Sequence, residues 1–299
     1  QCAVQIHSTH EEVILDSALM ADPQLHAKVV RALDLPPAFW GDMWPSLYRL
    51  FEEVRKHSTV ALSGEAADEL FGGYRWFHDP QAISENFFGW MTSATGKYFD
   101  GKALLAPDLV KKLDIEAFLK DSYAQAISEV PVLPGESAVN RRMRQETYVH
   151  LTRCMQIMLD RKDRMSMAVG LEVRVPFCDH RLVDYAFNIP WEMKAFDGRE
   201  KSILRAAVKD LLPASILDRV KNPYPATQDP AYEQQLRASM EQIVNDPHAP
   251  AKPLLDSKRV QQVLGTDIGA SSARQNRIGM EMAIGLNTWL GEYDVTLDL

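Results

Sequence analysis

A helix, a strand and a turn follow one another near the start of the chain, and that succession constrains the fold more than any other feature. Between Met43 and His57, the residues Leu47, Leu50, Phe51 and Val54 recur at i, i+3, i+4 and i+7. That spacing predicts a helix with one core-facing stripe. The apolar run Ser58-Thr59-Val60-Ala61-Leu62 follows at once and is stopped by Ser63-Gly64. A short run bounded in this way predicts a buried strand of a parallel sheet. Helix, strand and a Ser-Gly turn into another helix is the α/β pattern, in which ligands sit at the carboxyl ends of the strands. Glu12 to Asp16 reads as a further short strand end.

Beyond Tyr74 the pattern turns helical. Leu151, Cys154, Met155, Met158 and Leu159 stand at helical spacing, and so do Leu204, Ala207, Val208 and Leu211 between Lys201 and Leu212. Ile278, Met282, Leu286, Trp289 and Leu290 predict a last amphipathic helix. The proline-rich pieces Val130–Gly135, Asn222–Pro230 and Pro247–Pro253 read as loops between these helices. Met155 and Met158 are assigned to core packing, because Met fills irregular gaps. Residues 1–80 are therefore expected to form an α/β part and residues 81–299 a mostly helical part. No internal repeat or low-complexity tract interrupts this order.

At 299 residues the chain has room for about two domains or one large one. Acidic residues outnumber basic ones, 41 to 33, for a net charge of −8. That balance excludes a general nucleic-acid binder, which needs a basic face for phosphates. No uninterrupted apolar run approaches the roughly 18 residues of a membrane span. Cys2, Cys154 and Cys178 are too few and too scattered for a disulfide framework or a zinc site, which points to a reducing cytoplasm. The histidines lack metal-ligand spacing; His7 and His10 are three apart, but no third ligand joins them. The opening Gln1-Cys2-Ala3-Val4 has no initiator Met and reads as the middle of a longer polypeptide.

The chemistry concentrates in Leu62-Ser63-Gly64-Glu65-Ala66-Ala67-Asp68-Glu69-Leu70-Phe71-Gly72-Gly73-Tyr74. Gly64 permits close backbone approach and unusual dihedrals, and amides at the following helix start suit an anion. Glu65 and Asp68 share one face if the helix begins at the turn. One acid is then free to meet a substrate while the other meets a divalent metal. Acids in a first helical turn also simply complement the helix dipole, and the residues alone do not separate these two readings.

The segment SGEAADELFGGY closely resembles the SGEGxDExFGGY signature of class B, glutamine-dependent asparagine synthetases. Asp160-Arg161-Lys162-Asp163-Arg164-Met165-Ser166-Met167-Ala168, with Leu171 to Asp179 after it, resembles the family's D-R-x-S-M-A and L-E-V-R-V-P-F-L-D run. Gly198 to Arg205 resembles its G-K-x-x-K-x-I-L-R segment. The three blocks stand in the family's order. The resemblance implies an α/β fold with an ATP-pyrophosphatase-type parallel sheet, followed by a largely helical C-terminal part. It also implies an activity: ATP activates a carboxylate, aspartate by default, as an acyl-adenylate, pyrophosphate leaves, and ammonia from a glutaminase domain then attacks. That domain would lie in the same polypeptide or in a partner chain, and a homodimer is compatible with the family.

By this resemblance Ser63 and Gly64 touch the nucleotide, Glu65 serves the adenylate or the incoming ammonia, Asp68 binds Mg2+, and Lys201 stabilises phosphate charge. Arg174 and Asp179 are expected to brace the fold, while Asp163 and Arg164 receive no assignment. Two departures stand out. The family's Ser-Gly-Gly-x-Asp-Ser pyrophosphate loop does not occur in the 299 residues. Ala66 replaces a usual Gly, which requires a negative φ at that position. Cys2 precedes Ala-Val rather than the Gly-Ile of a glutaminase nucleophile. Two alternatives remain: a relative recruited to another carboxylate in amidation or ring closure, and a non-catalytic remnant. Glu65 weighs against the ring-closing relatives, which tend not to keep that acid.

Overall fold

The computed structural model describes residues 2–36, 41–92, 104–222, 224, 226–268 and 273–298. Asp22 opens the helix Pro23–Leu33 by accepting a hydrogen bond from Gln24 N at 2.9 Å, with Pro23 at the first position, where a missing N–H costs nothing. The helix Met43–His57 follows, and its stripe packs inward as the spacing predicts. Leu47 and Phe51 are buried, and Leu50 and Val54 are packed against the same core. Two residues later the chain enters β1 (Val60–Leu62).

The partner of β1 is β2 (Glu172–Arg174), which pairs with it in parallel, Val60 opposite Glu172 and Leu62 opposite Arg174. Among the described residues the sheet has these two strands alone. β2 therefore comes from the portion expected to be helical, so the sheet ties the two portions of the chain together. The strand is also less buried than its composition predicts. Val60 and Ala61 are half-buried and Leu62 is 74% exposed; Ala61 packs against the larger core, whereas Leu62 is not part of it. Glu12 to Asp16 is not a strand. It runs as irregular backbone, and Asp16 instead caps the short helix Ser17–Met20, accepting from Leu19 N at 2.7 Å.

The remainder is helical. Ala138–Val149 continues through one π-helical turn, His150–Cys154, into Met155–Ala168, so the predicted apolar spacing there belongs to a nearly continuous rod. Helices Pro230–Asn245 and Ala273–Glu292 pack against each other, and the latter also packs on Pro23–Leu33. Held between two neighbours, the last helix buries Met280, Ala283 and Leu290 rather than one narrow stripe, leaving Ile278, Met282, Leu286 and Trp289 half-buried. The segment from Lys201 is shorter than predicted. Its helix is Ser202–Ala207, and Leu211 lies 65% exposed in the turn that follows. Val130–Gly135 forms a loop as expected. So does Asn222–Pro230 up to the helix start, with Pro223 and Pro225 outside the described residues. Pro247–Pro253 contains the start of a short 3-10 turn, Lys252–Leu254.

Two apolar clusters position the site. The larger gathers Val29, Phe51, Met165, Leu236, Met240 and Met280. The smaller surrounds the short helix Ala67–Phe71, where Leu70 and Phe71 pack with Met155 and Ala186. Met155, only 2% exposed, is core packing as its spacing suggested.

Candidate active site

The turn after β1 begins as an extension of the sheet, since Ser63 N donates to Arg174 O at 2.8 Å. A Cβ placed on Gly64 meets nothing within 4 Å, and its φ is not in the left-handed region. Gly64 is thus required neither by packing nor by backbone conformation, and the space beside it stays open. Ala66 then takes φ +73°, ψ −13° and serves as N-cap of the helix Ala67–Phe71. The expectation of a negative φ at Ala66 is therefore overturned. A side chain in this region crowds the following carbonyl and costs roughly 1–2 kcal/mol. The sharp reversal is held because Ala66 is itself buried against Leu70, Phe71 and Met155.

That reversal separates the two acids. The helix starts at Ala67, so Glu65 stands outside it and Asp68 inside, and they do not share a helical face. Each carboxylate meets its own cations. Lys162 Nζ lies 2.8 Å from Glu65 Oε1 and donates to Ser63 Oγ at 2.9 Å, with Arg161 Nη2 3.9 Å from the same Glu65 oxygen. Asp68 accepts from Lys201 Nζ at 2.9 Å on Oδ1 and from Lys221 Nζ at 2.7 Å on Oδ2. Gly73 makes room for this arrangement, because a Cβ there would meet Asp68 Oδ1 at 1.8 Å. Gly72, at φ +63°, closes the helix in a conformation that suits glycine, and a Cβ on it would strike the Trp191 ring at 2.6 Å.

The electrostatics follow from burial and charge. Burial raises the Asp68 carboxyl, but Lys201 and Lys221 outweigh it and hold the group below its ordinary value. Next to it, burial pushes the Glu69 carboxyl up, opposed by the hydrogen bond that Tyr74 donates at 2.6 Å. Burial and the Glu69 charge together raise the Tyr74 phenol well above its usual range. The Tyr74 ring also lies beneath Lys221, with Nζ 4.9 Å from the centroid, so it steers that ammonium toward Asp68. Burial lowers Arg161, against the pull of Glu65.

All five residues singled out in the sequence meet in this region: Ser63, Gly64 and Glu65 on the Lys162 side, and Asp68 with Lys201. Lys201 is not a lysine on the flank of a helix. It is the N-cap of Ser202–Ala207, with φ +56°. Two non-glycine residues with left-handed backbone, Ala66 and Lys201, thus border one cluster, and strain of this kind gathers at functional sites. Lys162, Arg161 and Lys221 were not anticipated. Lys162 and Arg161 lie inside the second motif block, whereas Lys221 sits in a loop with no signal of its own. Asp163 and Arg164 are exposed and outside the cluster; Arg164 donates to Leu33 O at 3.0 Å. Asp179 braces the fold by capping His180–Phe187. Arg174 does so only through its backbone, since its guanidinium is exposed and bonded to Glu172 at 2.7 Å.

A three-way pattern of turn, acid and lysine invites comparison with known proteins. The sequence profile described as asparagine synthase matches residues 1–291. The chain belongs to the asparagine synthase family. It is 38% identical, over 97% of its length, to the glutamine-hydrolysing asparagine synthetase 3 of Bacillus subtilis, covering 47% of that protein. With asparagine synthetase 1 of the same organism it shares 30% identity over 60% of its length, or 32% of that protein. With the glutamine-hydrolysing asparagine synthetase of Rattus norvegicus the identity is 48%, over 60% of this chain and 22% of that protein. The chain thus spans less than half the length of these relatives. No helix among the described residues is long and apolar enough to cross a membrane.

Proposed function

We propose that the protein is the synthetase part of an ATP-dependent amide-forming ligase, which activates a carboxylate as an acyl-adenylate and amidates it with ammonia derived from glutamine. Aspartate is the default substrate. The observation that carries this reading is the pair of carboxylates, Glu65 and Asp68, each clasped by its own cations at the end of β1, beside the open space at Gly64.

In such a reaction a carboxylate oxygen attacks the α-phosphorus, and the bond to pyrophosphate breaks. Lys201 and Lys221 offset the charge that grows on the departing pyrophosphate, which lowers the barrier because the donors are already in place. Ser63 and Gly64 lie against the nucleotide. Ammonia then attacks the acyl carbon, AMP leaves, and Glu65 orients the amino-acid substrate or accepts the proton that ammonia sheds. Asp68 suits Mg2+, which is commonly held by one or two carboxylates with phosphates and water completing its shell. Both Asp68 oxygens are held by Lys201 and Lys221 in this structure, so Asp68 would take a metal only as those ammonium groups turn to the phosphates. When bound, the metal supplies further charge neutralisation on the phosphates. The pyrophosphate loop, the remaining strands of an ATP-pyrophosphatase-type sheet and the glutaminase domain belong, on this reading, to the additional length seen in the relatives.

Full-length protein incubated with ATP, Mg2+, aspartate and glutamine should yield AMP and pyrophosphate with asparagine. Formation of ADP and phosphate would overturn the adenylation mechanism. AMP formation with a different carboxylate, and none with aspartate, would redirect the substrate assignment alone.

A further inference from the structure

The motif block at residues 198–205 contributes Lys201 to the candidate active site, but two of its other charged members, Glu200 and Arg205, engage the loop that carries Lys221. That loop has little structure of its own. Lys221 lies in irregular backbone beyond the short helix Ala214–Leu217, beside the exposed Val220. Its amide is nonetheless fixed, because Lys221 N donates to Glu200 Oε1 at 2.9 Å.

Arg205 secures the same oxygen, donating from Nη2 at 2.7 Å, and it bonds the main chain of Glu200 through Nε at 2.8 Å. It also reaches across to the loop, with Nη2 donating to Arg219 O at 2.9 Å and Nη1 to Leu217 O. Arg199 Nη2 donates to Leu217 O as well, at 2.8 Å. Burial raises the Glu200 carboxyl, but the Lys221 amide and the Arg205 and Arg199 charges outweigh it and hold the group below its ordinary value. These bonds form a clamp between the segment that carries Lys201 and the loop that carries Lys221. Lys201 has a second support, since it is the N-cap of Ser202–Ala207 and Ser202 Oγ donates to Arg199 O at 2.8 Å.

We propose that Glu200 is a positioning residue for Lys221: with Arg205 bonded to it, its carboxylate fixes the Lys221 backbone so that the ammonium meets Asp68 Oδ2 above the Tyr74 ring. A lysine ammonium rides on a flexible stem, and it acts as a preorganised donor only if the root of that stem is held. Glu200 thereby sets the spacing of the two ammonium groups on Asp68, Lys201 at Oδ1 and Lys221 at Oδ2. The catalytic consequence rests on the ligase reading, whereas the anchoring does not.

Full-length Glu200→Ala and Glu200→Gln are compared with the parent in two measurements. The first is hydrogen exchange at the Lys221 amide, read by mass spectrometry, which needs no activity. It should be at least about tenfold faster in Glu200→Ala and parent-like in Glu200→Gln, whose one oxygen can accept both bonds that Oε1 accepts now. The second is pyrophosphate–ATP exchange. Glu200→Ala should slow it about 10–100-fold, the loss expected when a donor is displaced by about 1 Å, and Glu200→Gln should stay within about threefold of the parent. In a Lys221→Met background, Glu200→Ala should add less than about twofold, because the group it positions is gone. If Glu200→Ala does not fold, Glu200→Asp takes its place, since the shorter side chain withdraws the acceptor and keeps the charge. Unchanged amide exchange in Glu200→Ala overturns the anchoring. Full additivity with Lys221→Met, or equal losses in the Ala and Gln variants, overturns the positioning role and leaves Glu200 a structural brace. A parent that does not exchange pyrophosphate with ATP overturns the ligase reading instead, and the Lys221 amide still decides the anchor.

Discussion

Carboxylates are clasped by cations in two regions of this molecule, and the two regions use different cations. In the larger core Arg277 bridges Asp42 at 3.0 Å and Glu281 at 2.9 Å, donates to Thr227 O at 2.7 Å, and lies 4.6 Å from the centroid of the Tyr232 ring. At the candidate active site Asp68 meets two lysines, and Glu65 meets Lys162 with Arg161 further off. A guanidinium is a rigid fork that suits a fixed, buried arrangement, while an ammonium is a point charge on a flexible stem. The carboxyl groups respond differently as well. Burial raises Glu281 despite Arg277, whereas Lys201 and Lys221 more than offset burial at Asp68. The arginine cluster is therefore built to stay as it is. The lysine cluster is part-buried, and its ammonium groups sit on flexible stems that can turn from Asp68 toward an incoming anion.

The sharpest way to break this contrast is to remove one cation from each cluster. Lys201→Ala should slow pyrophosphate–ATP exchange by about 10²–10³-fold, the loss typical of one electrostatic donor, and depress amide formation with it. Glu65→Gln should reduce amide formation at least as much as exchange. Exchange that is unchanged in Lys201→Ala would return that lysine to a purely structural N-cap. In the core, Arg277→Met leaves Asp42 and Glu281 buried without their shared partner. It should lower stability by about 3 kcal/mol or more, read from urea unfolding. Lys221→Met, in the lysine cluster where Lys201 still meets Asp68, should change stability by less than about 1 kcal/mol while impairing activity. Equal destabilisation by the two substitutions would erase the distinction. The smallest effect concerns the turn that feeds the lysine cluster. Ala66→Gly should raise stability by about 1 kcal/mol, because glycine adopts φ +73° without crowding. A loss of stability would mean that the buried Ala66 methyl contributes more than its backbone costs.

Much of the local architecture is legible in the residues themselves. The stripe of Met43–His57 and the rod around Met155 follow from periodicity, and the strand at Val60–Leu62 follows from a short apolar run stopped by a Ser-Gly turn. Through the resemblance of three short blocks, Ser63, Gly64, Glu65, Asp68 and Lys201 could also be singled out, and the fold brings them together. Periodicity says nothing about which distant residue turns toward which. Lys221 reaches Asp68 across 153 positions, and Lys162 reaches Ser63 across 99. Neither pairing leaves a local trace, since an exposed lysine and a clasping lysine have the same neighbours in sequence. The left-handed turn at Ala66 is similarly silent, because an alanine by itself prefers the opposite φ and is held there only by the packing of Leu70, Phe71 and Met155 around it. Sequence determined the elements and the chemistry available to them. Tertiary packing decided which charges are paired, which are left open and which backbone is strained, because those depend on contacts between parts of the chain that no local preference couples.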